Sequence, residues 1–261
     1  LPKMAMFGGS LFLFPHPVKE LSDFLKSYNI HINYDAAHVA GLIAGGKFQD
    51  PLREGADTMT MSTHKTLFGP QGGLVLGSEE HAEPIKKATF PGLTSSHHIN
   101  NMAGEALEFG KDYASQVIKN AKYFAEALSD AGFKVLGESR GFTQSHQIAV
   151  NVLDYSDGGK VEAQLEKANI NVNRQLIPGD IKAGRNYFHP GGIRLGVSEI
   201  TRLGMKENEM KEIATFMKQI IIEKKDPKKI LPKVKSWRKD YQKVKYCFDS
   251  KLGAYEYVKL R

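Results

Sequence analysis

Cysteine is nearly missing: among 261 residues only Cys247 carries a thiol. A disulfide framework within the chain is thereby excluded, and a reducing interior, the cytoplasm, is the expected setting. Cys247 also lies far along the chain from every motif that carries chemistry. Long apolar runs are missing too. No stretch of eighteen apolar residues occurs, so no segment is expected to span a membrane. LFLF, Leu11 to Phe14, is too short for the apolar region of a signal sequence, and Pro15 and Pro17 come directly after it. No metal site is expected. An initiating methionine is absent as well: the text opens at Leu1 in mid-pattern, as expected of a piece of a longer protein.

What is present is ordinary for a globular chain, with 41% hydrophobic and 25% charged residues. The length suits one large core or two smaller ones. The net charge of +7 is uneven. Between residues 223 and 261 there are 13 Lys/Arg against 5 Asp/Glu, a surplus of eight, so the rest of the chain sums to −1. Such a tail, with Trp237, Tyr241 and Tyr246 among its lysines, has the composition of an RNA- or polyanion-binding segment. It fits equally an amphipathic helix with Val234, Trp237, Tyr241 and Val244 turned inward, which is the preferred reading.

Periodicity predicts an amphipathic helix over Val18 to Asn29, with Val18, Leu21, Leu25 and Tyr28 on one face. Strands are expected next in IHINYD, in Asp57 to Ser62 and in GGLVLG. Short strands alternating with helices imply an α/β fold with a mainly parallel sheet. A long helical tract is expected from about His97 to Ala131, with Met102, Ala106, Phe109, Tyr113, Val117, Tyr123, Phe124 and Leu128 as buried candidates. FKVLG, QIAVNVL, INVNRQL and GGIRLGVS, with helices near Gly159 to Ala168 and Lys206 to Ile222, suggest a smaller C-terminal α+β unit. The expected division is 1–116, 117–222 and a basic helical tail, 223–261.

Functional side chains in parallel sheets gather at the carboxyl ends of strands. Asp35 closes one predicted strand and Lys65, 30 residues on, comes after another. Asp35 alone reads as a helix N-cap. With Lys65 it suits pyridoxal phosphate (PLP): a carboxylate keeps the ring nitrogen protonated, and an amine takes the aldehyde as a Schiff base. Lowering a lysine pKa from about 10.4 to about 7 takes roughly 4 kcal/mol of desolvation or nearby positive charge. His64 and the apolar Met59, Met61 and Leu67 are expected to supply part of it. Ser10 after two glycines, and Ser62 and Thr63 beside the lysine, are phosphate-binding candidates; GPQGG reads as a loop of little bulk. Arg194, in the apolar strand GGIRLGVS, needs a partner, either a substrate carboxylate or an internal acid.

DAAHVAGLIAGG, STHKTLFGPQGG, FPGLTSS and GGIRLGVSEITRLGM together resemble the serine hydroxymethyltransferase family, from Leu1 to about Lys218. KYCFDSKLGAYEY looks like archaeal members. The resemblance implies the large PLP-binding domain of the aspartate-aminotransferase fold, without its N-terminal part, plus the small domain. It implies that Lys65 carries PLP covalently, that Asp35 pairs with the ring nitrogen, and that His38 and Ser10 bond its phenolic oxygen. His64 and Ser62 would line the site, and Arg194 would hold the amino-acid carboxylate. Ser95 and Ser96 stand where the family commonly has Gly-Gly, whose amides reach the phosphate of a neighbouring subunit, so a homodimer with shared sites is implied. Gln175, in the pterin-facing segment INVNRQLIP, falls where many members have Asn. The co-substrate would be tetrahydrofolate or tetrahydromethanopterin, and the reaction serine to glycine. Class V aminotransferases and cysteine desulfurases also place His-Lys before a glycine-rich turn. They set Gln three residues after the aspartate, where this chain has His38, and a desulfurase needs a cysteine better placed than Cys247.

Overall fold

The computed structural model describes residues 1–96, 110–247 and 253–254. The chain divides into two compact units, Leu1–Ser115 and Gln116–Arg261.

The first unit is built on a four-stranded sheet of order β1-β2-β3-β4. Strands β1 (Met4–Gly8), β2 (His31–Asp35) and β3 (Thr58–His64) run parallel, and β4 (Phe68–Gly77) returns antiparallel. Ile32 and Tyr34 of β2 are fully buried, and Asn33 on the opposite face is also buried, accepting from the Thr58 hydroxyl at 2.9 Å. A strand closed on both faces fixes where its last residue, Asp35, must lie. GPQGG belongs to β4 and is not a loop: Gly73 pairs with Ser62 and Leu74 with Met61.

Helix α1 (Val18–Ser27) ends where Asn29 turns left-handed at φ 55°. Its inward line differs from the predicted one. Val18 and Ser22 are buried, while Leu21 and Tyr28 are exposed. Ser22 is small enough to lie against Gly55, where an added Cβ would sit 2.6 Å from the serine Cβ. That close approach turns the apolar stripe outward, and the rings of Phe24 and Tyr28 meet edge to face instead, centroids 5.2 Å apart. Two further helices, α2 (Ala40–Ala44) and α3 (Ala82–Lys87), belong to this unit.

The division between units falls inside helix α4 (Gly110–Asp130). Met102, Ala106 and Phe109 lie outside the described residues. Tyr113, Val117, Phe124 and Leu128 are buried as expected, but Tyr123 is exposed. It lies at the edge of the buried stripe that Asn120, Ala121, Phe124, Ala125 and Leu128 form.

The second unit has an antiparallel sheet of order β5-β6-β8-β7, from Lys134–Val135, Gln147–Asn151, Gly192–Gly196 and Asn173–Gln175 respectively. Helices α5 (Gly158–Glu166), α6 (Ser198–Arg202), α7 (Glu207–Ile221) and α8 (Pro227–Arg238) complete it. Ile148, Val150, Val161, Leu165, Ile193, Met210 and Met217 form a closed core. Buried Asn120 of α4 donates to the Thr201 hydroxyl at 2.8 Å and the Met205 carbonyl at 2.9 Å. In α8, Ile230 and Val234 are buried and Trp237 packs on Phe216 and Tyr241. The lysines of α8 are exposed, as an amphipathic helix requires.

Candidate active site

Asp35, the last residue of β2, turns one carboxylate oxygen back to accept the N–H of Ala37 at 3.0 Å. It is not the cap of α2, whose first turn carries no side-chain cap. The other oxygen has no hydrogen-bond partner among the described residues. The chain then passes through His38 into α2. Thr66 ties that passage to the Lys65 segment: its hydroxyl donates to the His38 carbonyl at 2.9 Å and accepts the Gly41 N–H at 3.1 Å. Gly41 is required here, since a Cβ would stand 1.9 Å from the Thr66 carbonyl oxygen.

Lys65 comes directly after β3, beyond a register shift between Ser62 and His64. Its Nζ lies 3.4 Å from His38 Nε2. Lys65 and His64 are exposed and Ser62 is half-buried. The apolar wrapping expected around Lys65 is not there. Met59, Met61 and Leu67 are buried while the Lys65 amine is exposed.

On the far side of β2, Gly8 of β1 is in register with Asp35. Gly8 and Gly9 have φ of +106° and +155°, conformations open to glycine, and an added Cβ on Gly8 would lie 2.3 Å from the Asp35 carbonyl oxygen. Ser10 comes next, exposed. Three neighbouring strand ends thus bring Ser10, Asp35 with His38, and Lys65 to one edge of the first unit. Ser95 and Ser96 are exposed, and no described contact joins them to Lys65 or Asp35.

Arg194 belongs to the second unit, at the centre of β8. Its guanidinium donates to Asn173 Oδ1 at 3.1 Å. Burial holds its pKa below the usual guanidinium value, with Tyr187 nearby acting the other way. The partner described for the guanidinium is the Asn173 side-chain amide. Gln175 pairs with Gly192, and its side-chain amide donates to the Leu176 carbonyl at 3.0 Å. Asn173 is the residue opposite Arg194. Sequence reasoning missed it because Asn173 and Gln175 share one strand face, and only the register with β8 separates them.

The donor set fits PLP: an exposed primary amine beside an imidazole, an unpartnered carboxylate oxygen on the adjacent strand, and a serine after a glycine turn that admits no side chain. Comparison with solved structures agrees. The crystal structure of L-threonine transaldolase from Pseudomonas fluorescens in its internal aldimine state matches with a TM-score of 0.84 and 32% identity, over 96% of this chain and 58% of that one. The fold is that of the α/β class of PLP-dependent enzymes. The sequence model of serine hydroxymethyltransferase matches residues 1–217, and the chain belongs to that family. The serine hydroxymethyltransferase of Nitrosopumilus maritimus is 90% identical over all of this chain, and that of Cenarchaeum symbiosum is 75% identical. That of Pyrococcus horikoshii is 53% identical over 95% of the chain. The chain spans 61% of the Nitrosopumilus protein's length.

Proposed function

We propose that this chain is the cofactor- and carboxylate-binding part of a serine hydroxymethyltransferase. The parent reaction moves the serine hydroxymethyl group to a reduced pterin, tetrahydrofolate or tetrahydromethanopterin, and leaves glycine. When bound, PLP supplies an electron sink for the charge left as a bond at the substrate α-carbon breaks. This chain's residues do the holding. Lys65 attaches the cofactor through its amine, and Asp35 keeps the ring nitrogen protonated. His38 and Ser10 bond the phenolic oxygen, while Ser62 and His64 line the lysine's side. Arg194, steadied by Asn173, takes the amino-acid carboxylate, and Gln175 faces the pterin. Ser95 and Ser96 serve the phosphate bound in a second subunit of a cytoplasmic homodimer. We read 1–116 as the PLP-binding part, 117–222 as the small domain and 223–261 as its basic tail.

The observation that carries this reading is the 3.4 Å approach of Lys65 Nζ to His38 Nε2, which follows Asp35 at the end of the neighbouring strand. The test is to add PLP to the purified chain, reduce with borohydride and map the adduct by peptide mass spectrometry. Modification concentrated on Lys65, and lost in Lys65→Ala, supports the site; modification scattered over tail lysines, with Lys65 spared, overturns it. Because the chain spans only part of its relatives' length, serine turnover by this polypeptide alone is expected to be negligible. A serine-to-glycine assay checks that directly.

A further inference from the structure

Behind the Gly8–Ser10 turn lies a group of contacts that the proposed chemistry does not use. The Gly8 N–H donates to His16 Nδ1 at 3.3 Å. The backbone of His16 is held on both sides by one side chain. Its N–H donates to Gln49 Oε1 at 2.9 Å, and its carbonyl accepts from Gln49 Nε2 at 2.7 Å. Gln49 is itself fixed, accepting from the Tyr34 hydroxyl at 2.8 Å and donating to Glu54. The imidazole rests against Phe12, ring centroids 4.7 Å apart. His16 is therefore a built part of the first unit and no passing surface contact.

To accept from Gly8, Nδ1 must keep its lone pair, so the ring is neutral with its proton on Nε2. Burial favours that state by lowering the His16 pKa from its ordinary 6.5. The ionisable groups facing the ring are Tyr34 from β2, at 6.3 Å between centroids, and Glu54, reached through Gln49. Burial pushes the Tyr34 phenol up, so it stays neutral, and Glu54 is engaged by Gln49 Nε2 and the Asp50 N–H. A proton on Nδ1 would point at the Gly8 N–H and remove the bond. Gly8 cannot take up slack on its other side, because it is already against the Asp35 carbonyl.

We infer that His16 is a positioning residue of the cofactor site: its neutral ring holds the Gly8–Ser10 turn against the end of β2, and protonation releases it. This rests on the reading of Ser10 and Asp35 as cofactor ligands. The contribution is complete above pH 6.5 and is lost as pH falls from there through the lower folded pKa.

The first measurement is nitrogen-15 NMR of the unmutated chain, tracking the imidazole nitrogens of His16 and the Gly8 amide from pH 8 to pH 5. The expected result is an Nε2–H tautomer, a midpoint below 6.5, and a Gly8 amide that moves with the same midpoint. An Nδ1–H tautomer, or a Gly8 amide indifferent to His16, overturns the inference. The second is PLP affinity by absorbance titration. His16→Phe, without an acceptor, should weaken binding roughly tenfold, the effect of one lost hydrogen bond. His16→Asn, whose Oδ1 replaces Nδ1, should restore most of that and flatten the acid limb; equal loss in both variants counts against a positioning role. If the unmutated chain takes up no PLP at Lys65, the cofactor reading fails for this polypeptide, while the NMR result still decides the role of His16.

Discussion

The two units put similar apolar patterns to different use. In the second, strands β6 and β8 carry Ile148, Val150 and Ile193 fully buried, and α5 packs against β7 and β8. In the first, among the described residues, only β2 and β3 are closed in. Met4 and Met6 of β1 are exposed, and so are Leu74, Val75 and Leu76 of β4, on both faces of that strand. Among the described residues, nothing covers these three consecutive apolar side chains. Within the described residues, the candidate cofactor site rests on two buried strands and the short contacts that join their ends. Arg194 stands on a complete core.

That contrast can be tested because the single tryptophan, Trp237, reports on the second unit alone, while circular dichroism reports on both. The largest effect is expected from Gly41→Ala. A Cβ 1.9 Å from the Thr66 carbonyl forces backbone apart, and a loss of about 3 kcal/mol or more should fall on the first unit. In urea, the dichroism change should move to lower denaturant while the Trp237 fluorescence midpoint stays; a joint shift would mean that the units unfold as one. Next in size is Asp180→Ala in the second unit. This buried carboxylate takes the N–H groups of Ile177 and Gly191 at 2.9 and 2.7 Å, and its removal leaves both unpaired. A cost of about 2–3 kcal/mol is expected, read as a lower Trp237 midpoint.

The smallest is Asp157→Ala, which removes the cap of α5, where Oδ1 accepts the Lys160 N–H at 3.0 Å. About 1 kcal/mol is expected at neutral pH. The Asp157 pKa is lowered: slight burial pushes it up, but the Lys160 N–H and ammonium and His189 together outweigh that. Its stabilisation is thus present above pH 3.8 and lost as pH falls through the lower folded pKa. The wild-type and variant midpoints should converge in acid, and a difference that persists there would assign the cap's effect to something other than its charge.

Much of this was legible in the sequence, because strand ends and glycine turns obey local rules. β2, β3 and β8 come from short apolar runs, and the place of Lys65 after a strand comes from the turn beside it. What escaped depended on partners distant in sequence. The facing of α1 was decided by Gly55, 33 residues from the Ser22 it admits. The burial imagined for Lys65 failed because buried methionines near a strand end say nothing about which side the end faces. Asn173 needed the β7–β8 register, and His16 needed Gln49, again 33 residues away.

Thr66 and Gly41 have one more consequence. With the Thr66 hydroxyl bonded to the His38 carbonyl and the Gly41 N–H, and no room for a methyl between the backbones, AAHVAG and HKTL are two halves of a single fitted joint. In recombination between related chains, a crossover falling between residues 41 and 66 would join halves shaped against different mates. Libraries of chimaeras should lose viability across that interval unless both segments come from one parent.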